Sequence, residues 1–187
     1  ELDLHNWDVS NVTTLHHTFT DCFKLEKINM TGWDTSNVTT INGLFNTCKS
    51  LKVIDVSDFD TQNVTDMAQV FETCYALEEI IGLDKWDTSN VTTMWQMFAS
   101  PAGYNVSNHL KVLDLSSWDT SKVTNMKEMF QSSPDLVTIY VGDGWSTENV
   151  TDSSDVFKKC PSIVGEKGTT FDSSLFDVTY AHVYGGT

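Results

Sequence analysis

The sequence predicts an α/β solenoid of about six strand–turn–helix repeats (period 26–27) with a C-terminal cap, and three regular columns of residues predict it. An aromatic residue, usually Trp, recurs at intervals of 26, 26, 27, 32 and 27 residues. A Val and a Phe recur in step with it and lie seven residues apart in every copy. A fixed period of about 20–50 residues is the signature of a solenoid, whose units bury their apolar faces only against one another. The three columns are Trp7, Trp33, Phe59, Trp86, Trp118 and Trp145; Val12, Val38, Val64, Val91, Val123 and Val150; and Phe19, Phe45, Phe71, Phe98, Phe130 and Phe157.

Each repeat begins with a short predicted strand. Segments such as Leu25–Met30 follow the pattern L-x-x-L-x-L, and their last four residues alternate between polar and apolar. Alternation of this kind indicates a strand with one buried face, and strands of successive copies are expected to pair in parallel. Repeat 4 carries one extra residue at Ile80–Leu83, which predicts a bulge. The clearest strands are expected near Ile28–Met30, Ile54–Val56, Leu113–Leu115 and Ile139–Val141.

A polar turn and a short helix are expected to follow the strand. In the turn Trp33–Asn37, the side chains of Asp, Ser and Asn can hydrogen-bond to backbone N–H groups. The apolar residues after it are spaced by three, four and seven positions, which predicts one buried face of a helix. In repeat 2 these residues are Val38, Ile41, Leu44, Phe45 and Cys48.

The repeats are assigned to residues 1–164, and residues 165–187 are assigned to a C-terminal capping segment. The last unit of a solenoid exposes an apolar face unless something covers it. The capping segment leaves the period but carries apolar residues, and we expect Phe171 and Tyr180 to pack over the last repeat. The chain starts inside a copy of the motif at Glu1–Leu4, so it is interpreted as a fragment of a longer protein.

Composition and charge argue against several kinds of partner. The 187 residues include 26 acidic but only 11 basic ones, for a net charge of −15. Binding to nucleic acid requires clustered Lys and Arg, which the chain lacks, so no nucleic acid partner is expected. No apolar stretch of about 18 residues and no signal peptide is recognisable, so no membrane insertion by this segment is expected.

Cys22, Cys48, Cys74 and Cys160 occupy the same position of their repeats. Regularly spaced Cys residues can indicate disulfides or a metal site. A thiolate metal site needs ligands that converge on one point, which a column spread over successive repeats does not supply. Because Cys is among the most buried residue types, the favoured interpretation is a column of small, buried and reduced side chains.

An Asp follows the aromatic residue in five copies, and two interpretations of it compete. The carboxylate can accept N–H bonds from its own turn, or neighbouring carboxylates can share a hard cation such as Ca²⁺. The turn is favoured because Ca²⁺ takes about six to eight oxygen ligands and no calcium-loop motif is present. No cofactor is therefore expected, and Ca²⁺ is the alternative. The column consists of Asp8, Asp34, Asp60, Asp87 and Asp119.

No group of residues points to catalysis. His16 and His17 are adjacent, and neighbouring side chains of a helix point in different directions, so a metal pair is not expected. No Ser-His-Asp or Cys-His arrangement and no glycine-rich phosphate loop is recognisable. The Asn column before the Val, which includes Asn37 and Asn63, is expected to bind backbone groups of neighbouring repeats. The chain is not expected to be an enzyme.

The motif formed by Trp118–Ser121, Val123–Met126 and Met129–Phe130 resembles a known family. It is similar to the BspA-like leucine-rich repeat surface proteins of Gram-positive bacteria and mollicutes, over about residues 2–164. The resemblance implies a leucine-rich-repeat-like solenoid, a secreted or wall-anchored location and a role in adhesion, with no catalytic residues to transfer. The departures from the motif are Phe59 for Trp, Lys122 for Asn and Ser146 for Asp.

Two surfaces are candidates for binding. The first is the row of outward strand positions, which differ from copy to copy and would line the concave face of a solenoid. The second is an insertion: Phe98 and Leu110 are 12 residues apart, whereas the other copies take 6. Such an insertion is often functional, although a neutral insertion is the alternative. The row consists of Asp3, His5, Lys27, Asn29, Val53, Asp55, Val112, Asp114, Thr138 and Tyr140, and the loop candidates are Pro101, Tyr104, Asn105 and His109.

The row is the preferred surface, because a rigid strand face loses little entropy on binding. Its acidic residues beside Tyr140 favour a partner with a basic or polar surface. Together with what the resemblance to surface proteins implies, this row predicts an extracellular, cell-surface bacterial binding module, an adhesin for a host protein or glycan. The alternative is a stalk or spacer domain of a protein anchored to the cell wall.

Overall fold

The computed structural model describes residues 1–101, 108–164 and 177–178. Within these ranges the one helical element whose bounds are described is the 3₁₀ helix Leu83–Lys85, and Val178 is also in 3₁₀ conformation. The strands are β1 (Leu2–Asp3), β2 (Ile28–Asn29), β3 (Val53–Asp55), β4 (Glu79–Ile81), β5 (Val112–Leu115) and β6 (Thr138–Val141).

The prediction of an α/β solenoid with leucine-rich-repeat-like strand–turn–helix units is wrong. The described residues contain no α-helix, and the predicted helices are chains of turns. The strands form three separate two-stranded parallel sheets, β1–β2, β3–β4 and β5–β6, instead of one continuous sheet. Leu2 lies opposite Ile28, Val53 opposite Glu79, and Val112 opposite Thr138.

Successive repeats nevertheless contact one another in sequence order. Single parallel bridges connect the residue two positions after the Val column in each copy with its equivalent in the next copy. The bridged residues are Thr14, Thr40, Asp66, Thr93, Asn125 and Asp152.

Hydrogen bonds between repeats explain why the predicted helices do not form. The N–H groups of Ile41, Gly43, Phe45 and Thr47 donate to carbonyls of the following repeat at 2.8–3.1 Å. Gly43 and Thr47 also adopt left-handed backbone angles, with φ of 62° and 63°. A left-handed residue every fourth position interrupts a right-handed helix, and the N–H groups of alternate residues are no longer free for bonds within it.

The remaining N–H groups close short turns inside the same repeat. Those of Leu44, Asn46 and Cys48 donate to carbonyls three residues earlier. A series of such turns directs residues inward at intervals of three and four, as a helix does. The predicted apolar stripe is therefore buried as expected, although its backbone is not helical: Val38, Ile41, Leu44, Phe45 and Cys48 are each at most 1% exposed.

The strands lie where the sequence placed them, but the predicted bulge in repeat 4 is wrong. β4 pairs with β3 in an unbroken register, in which Ile80 lies opposite Ile54 and Ile81 opposite Asp55. The extra residue is accommodated after the strand, where Gly82 with φ of 94° leads into the 3₁₀ helix.

The aromatic columns form ladders through the middle of the molecule. Phe45, Phe71, Phe98 and Phe130 stack at centroid distances of 5.7–5.9 Å, and each is at most 1% exposed. Trp86 and Trp118 stack in parallel at 6.4 Å. The predicted burial is thus confirmed in the central repeats. It is wrong for Trp7, which is 61% exposed, and Val12, Val150, Phe157 and Trp145 are only half-buried.

The polar columns connect the backbone of one repeat to the next. The side chain of Asn37 donates to the Ser10 carbonyl at 2.8 Å, and Asn63 donates to Ser36 in the same way. The hydroxyl of Thr35 donates to the Asp60 carbonyl at 3.0 Å and accepts the Asp60 N–H. The Asn column therefore has the predicted structural role, and its bonds satisfy backbone groups that the turns leave open.

The Cys column is more than a set of small apolar side chains. The thiols of Cys48, Cys74 and Cys160 are buried and donate to the Phe carbonyl of the preceding repeat at 3.0–3.2 Å. All four thiols are free, as predicted, but Cys22 is only half-buried. Ser133 takes the thiol's place in repeat 5 and donates to the Phe98 carbonyl at 3.3 Å.

Thiol reactivity should follow this difference in burial. Burial raises the pKa of Cys48 to about 12 and that of Cys160 to about 11, and it raises the pKa of Cys74 strongly as well. Because the thiolate is the reactive form, a thiol reagent at about pH 8 should modify Cys22 first in the folded chain. All four groups should react after denaturation without reductant. Detection of only two groups would reveal a disulfide and contradict the assignment.

Among the described residues, no helix is long and apolar enough to span a bilayer. Most of the predicted capping segment, including Phe171 and Tyr180, lies outside the described residues. Val178, which is described, is 6% exposed and belongs to the hydrophobic core.

Candidate binding cleft on the strand face

The predicted binding row lies on the outward face of the strands. Val112 and Tyr140 are the most exposed of its large apolar side chains, at 54% and 56%. The half-buried members are Asn29 and Thr138. The exposed members are Asp3, His5, Lys27, Val53, Asp55, Val112, Asp114 and Tyr140.

The strand register adds two residues that the sequence interpretation missed. Glu79 lies opposite Val53, and Ile81 lies opposite Asp55, so both belong to the same outward row. Ile81 is 40% exposed. The extra residue in repeat 4 hid this equivalence, although the 26-residue offset from β3 would have revealed it.

A cleft of about 790 Å³ separates the second sheet from the third. In the described part of the chain, no strand pairing joins β4 to β5, so each is an edge strand at this gap. The 3₁₀ helix Leu83–Lys85 and the end of the insertion at His109 border the gap. The lining residues are Val53, Glu78, Glu79, Ile80, Gly82, Leu83, Asp84, His109, Lys111, Val112, Leu113, Asp114 and Asp135.

The cleft brings together members of both predicted surfaces. Val53, Val112 and Asp114 come from the strand row, and His109 comes from the inserted loop. The part of the row on β1 and β2 lies in a different sheet and does not line this cleft. Pro101 is half-buried, and the other two loop candidates, Tyr104 and Asn105, lie outside the described residues.

The end of the insertion is anchored by a buried residue that the sequence interpretation also missed. Asn108 is 1% exposed, and its side chain donates to the Phe98 carbonyl at 2.9 Å and to the Ser133 hydroxyl at 3.0 Å. The N–H of His109 then donates to the Leu77 carbonyl at 2.9 Å. These bonds fix His109 at the edge of the cleft.

Carboxylates dominate the charge of the cleft. Its lining holds five of them and one lysine, Lys111. Glu78 is 3.5 Å from Lys52, and Asp135 is 2.8 Å from His109. The other three cleft carboxylates, Glu79, Asp84 and Asp114, have no basic side chain within 4.0 Å among the described residues.

Local hydrogen bonds hold two carboxylates of the strand face in place. Asp114 accepts the Ser116 hydroxyl at 2.6 Å and the Ser116 N–H at 3.1 Å, and these bonds lower the pKa of Asp114. Bonds from Ser57 lower the pKa of Asp55 in the same way. Both groups are therefore ionised at neutral pH, and each presents a negative charge beside the exposed apolar side chains.

The Asp column after the aromatic residues is engaged within its own turns, as predicted. Asp34 accepts the N–H of Ser36 at 3.1 Å, and Asp119 accepts that of Ser121 at 2.9 Å. Across the described ranges, no group of three or more His, Cys, Asp or Glu side chains is arranged to hold a metal ion.

A second polar cluster surrounds Glu72, which does not line the cleft. This carboxyl is 9% exposed and accepts side-chain amide bonds from Asn46 and Gln69, both at 2.6 Å. Burial raises the pKa of Glu72 despite these bonds. The folded state therefore binds the proton of Glu72 more tightly than the unfolded chain does, so the ionised form costs stability at higher pH.

The variant Glu72→Gln should be more stable than the parent chain at neutral pH. Both amide bonds go to one oxygen, which a glutamine carbonyl can replace without the buried charge. The stability difference should shrink as the pH falls through the raised pKa and disappear below the usual pKa of glutamate. Urea unfolding across this pH range measures it, with the exposed Glu148→Gln as control. A difference independent of pH would contradict the assignment.

Comparison with known proteins identifies a family. The family described as "Mycoplasma protein of unknown function, DUF285" matches residues 1–109 and, in a second overlapping match, residues 42–171. Neither the search of curated proteins nor the search of solved structures found a match. Because the two matches together extend from residue 1 to residue 171, the chain belongs to this Mycoplasma family, DUF285.

Proposed function

We propose that the chain is an extracellular bacterial binding module, an adhesin that recognises a host protein or glycan through its strand face. The main observation in support of this proposal is the contrast between the interior positions and the strand face. Equivalent interior positions repeat the same side chains, whereas the strand face varies and exposes Val53, Ile81, Val112 and Tyr140 by 40–56%. Neither the turns nor the core requires apolar side chains at these positions, and exposed apolar patches mark interaction sites.

A resemblance of the repeat motif supports the same proposal. The motif around Trp118 resembles that of BspA-like leucine-rich repeat surface proteins, for which adhesion and a cell-surface location are the usual proposals. Among the described residues that line the cleft there is no Ser, Thr, Cys or Tyr side chain, and we do not propose an enzymatic role. The charge of −15 is consistent with a protein partner and disfavours nucleic acid.

A spacer role is the second candidate, and the regularity of the hydrogen bonds between repeats favours it. A spacer needs a rigid interior, but it does not need particular side chains on its strand face. The two roles therefore differ in what they predict for substitutions that leave the interior intact.

An array of host matrix proteins and glycans, probed with the 187-residue chain, separates the two roles. The binding module should give signals that are lost in the double variant Val53→Ser and Val112→Ser, which removes the two exposed valines at the cleft. The control is Val137→Ser, an equally exposed valine outside the cleft lining. Tyr104→Ser tests the inserted loop as the alternative surface. No signal, or signals that both cleft and control variants retain, would contradict the proposal and favour the spacer.

A further inference from the structure

We propose that the cleft between β4 and β5 binds an extended segment of a protein partner that carries a lysine or arginine side chain among apolar residues. The proposal rests on the binding function proposed above and specifies its ligand. Three features of the cleft support it: its unpaired strand edges, its apolar walls and its excess of carboxylates.

The strand edges favour a polypeptide over a glycan. β4 is paired only with β3, and β5 only with β6, within the described residues. An edge strand presents backbone N–H and C=O groups that an extended peptide can pair with, which is a common mode of peptide recognition. A volume of about 790 Å³ is in the range of a binding pocket for a few residues.

The apolar walls favour side chains with a hydrocarbon stem. Val53 and Val112 flank the cleft and are 43% and 54% exposed, and Leu83 and Leu113 also line it. The stem of a lysine or arginine can pack on such a surface while its charged end remains at the rim.

The rim carboxylates favour a positive charge at the end of that stem. Glu79, Asp84 and Asp114 have no ion-pair partner in the described residues, whereas Glu78 pairs with Lys52 and Asp135 contacts the His109 ring. An incoming cation therefore meets three carboxylates that no lysine or histidine side chain of the described residues already neutralises. A like-charged or neutral side chain gains nothing from them.

The test uses labelled peptides of alternating valine and lysine and measures fluorescence anisotropy with the full chain. In a matched peptide, norleucine replaces lysine and keeps the stem without the charge. The lysine peptide should bind about tenfold more tightly, and added salt should weaken only that peptide. The arginine version should bind as the lysine version does.

Cleft variants assign the binding to its site. Glu79→Gln combined with Asp114→Asn should weaken the lysine peptide about tenfold and leave the norleucine peptide unchanged. The Asp114→Asn change keeps an oxygen that can accept both Ser116 bonds. The control, Glu148→Gln combined with Asp143→Asn, makes the same changes at exposed positions outside the cleft lining and should have no effect.

Equal binding of the lysine and norleucine peptides, no binding of either, or unchanged binding by the cleft variant would overturn the proposal. These results would not by themselves disprove the proposed binding function. If an array glycan instead gives a signal that the two valine substitutions abolish, the function stands and the peptide assignment is wrong. If one of these results occurs and no array signal depends on the cleft either, both proposals fail.

Discussion

Replacement of Phe71 by Ala is expected to lower the free energy of unfolding by about 3–5 kcal/mol, the usual cost of truncating a large core side chain. Phe71 is 1% exposed and stacks on Phe45 at 5.9 Å and on Phe98 at 5.7 Å. It also contacts Trp86 in the other aromatic column, at 6.3 Å between centroids. A truncation at this point leaves a cavity where both columns meet, and neighbours fixed by bonds on each side have little freedom to fill it.

Urea unfolding of the variant and of Phe23→Ala measures this effect. Phe23 is 49% exposed, so its truncation should cost less than about 1 kcal/mol, including the loss of its contact with Lys49. A similar loss of unfolding free energy in both variants would mean that the stacked aromatic columns do not make the main contribution to stability.

Replacement of Gly82 by Ala should be nearly as damaging, at about 2–5 kcal/mol. Gly82 has φ of 94°, and a left-handed angle costs an L-residue about 1–2 kcal/mol. A Cβ would also lie 2.5 Å from the Ser57 Cα and 2.6 Å from its N. These are backbone atoms of the neighbouring repeat, so relief requires the two repeats to separate, at a further cost of about 1–3 kcal/mol.

Gly32→Ala is the matched control, because it has the same kind of backbone angle without the contact. Gly32 has φ of 81°, and a Cβ there would meet nothing within 4 Å. It should therefore cost only the conformational part, about 1–2 kcal/mol. Thermal or urea unfolding of both variants compares them. Equal costs would show that the close approach of Gly82 to Ser57 does not constrain the packing.

The repeat columns could be predicted from the sequence because burial imposes the same side chain at equivalent positions. Phe45 and Phe71 are both stacked and buried, and the strands lie near the predicted segments. Spacing by three and four identified the inward residues correctly. The same spacing could not distinguish a helix from a chain of turns, because both direct residues inward at these intervals.

The turns themselves left no readable signal in the sequence. Left-handed backbone angles favour glycine. In the described turn segments that replace the predicted helices, only one residue with such an angle is a glycine, Gly43. The equivalent residues in other repeats include His17, Gln69 and Glu128, which no sequence rule assigns to this conformation. Hydrogen bonds between repeats hold them there, and such bonds depend on tertiary contacts rather than on local preference.

The candidate site was only partly predictable for a similar reason. Alternation along the strands identified Val112 and Asp114 as outward residues, but one extra residue concealed Glu79 and Ile81. The cleft depends on the missing pairing between β4 and β5, which the assumption of one continuous sheet excluded.

Amide hydrogen exchange with the tightest array ligand tests the central claim most directly, namely that the strand-face cleft is where this chain binds. Binding should slow exchange at residues 78–84 and 109–114, which border the cleft. The turn segment 36–48 lies outside the cleft lining and should exchange at an unchanged rate. Protection confined to that turn segment, or a bound ligand that protects neither border of the cleft, would contradict the claim.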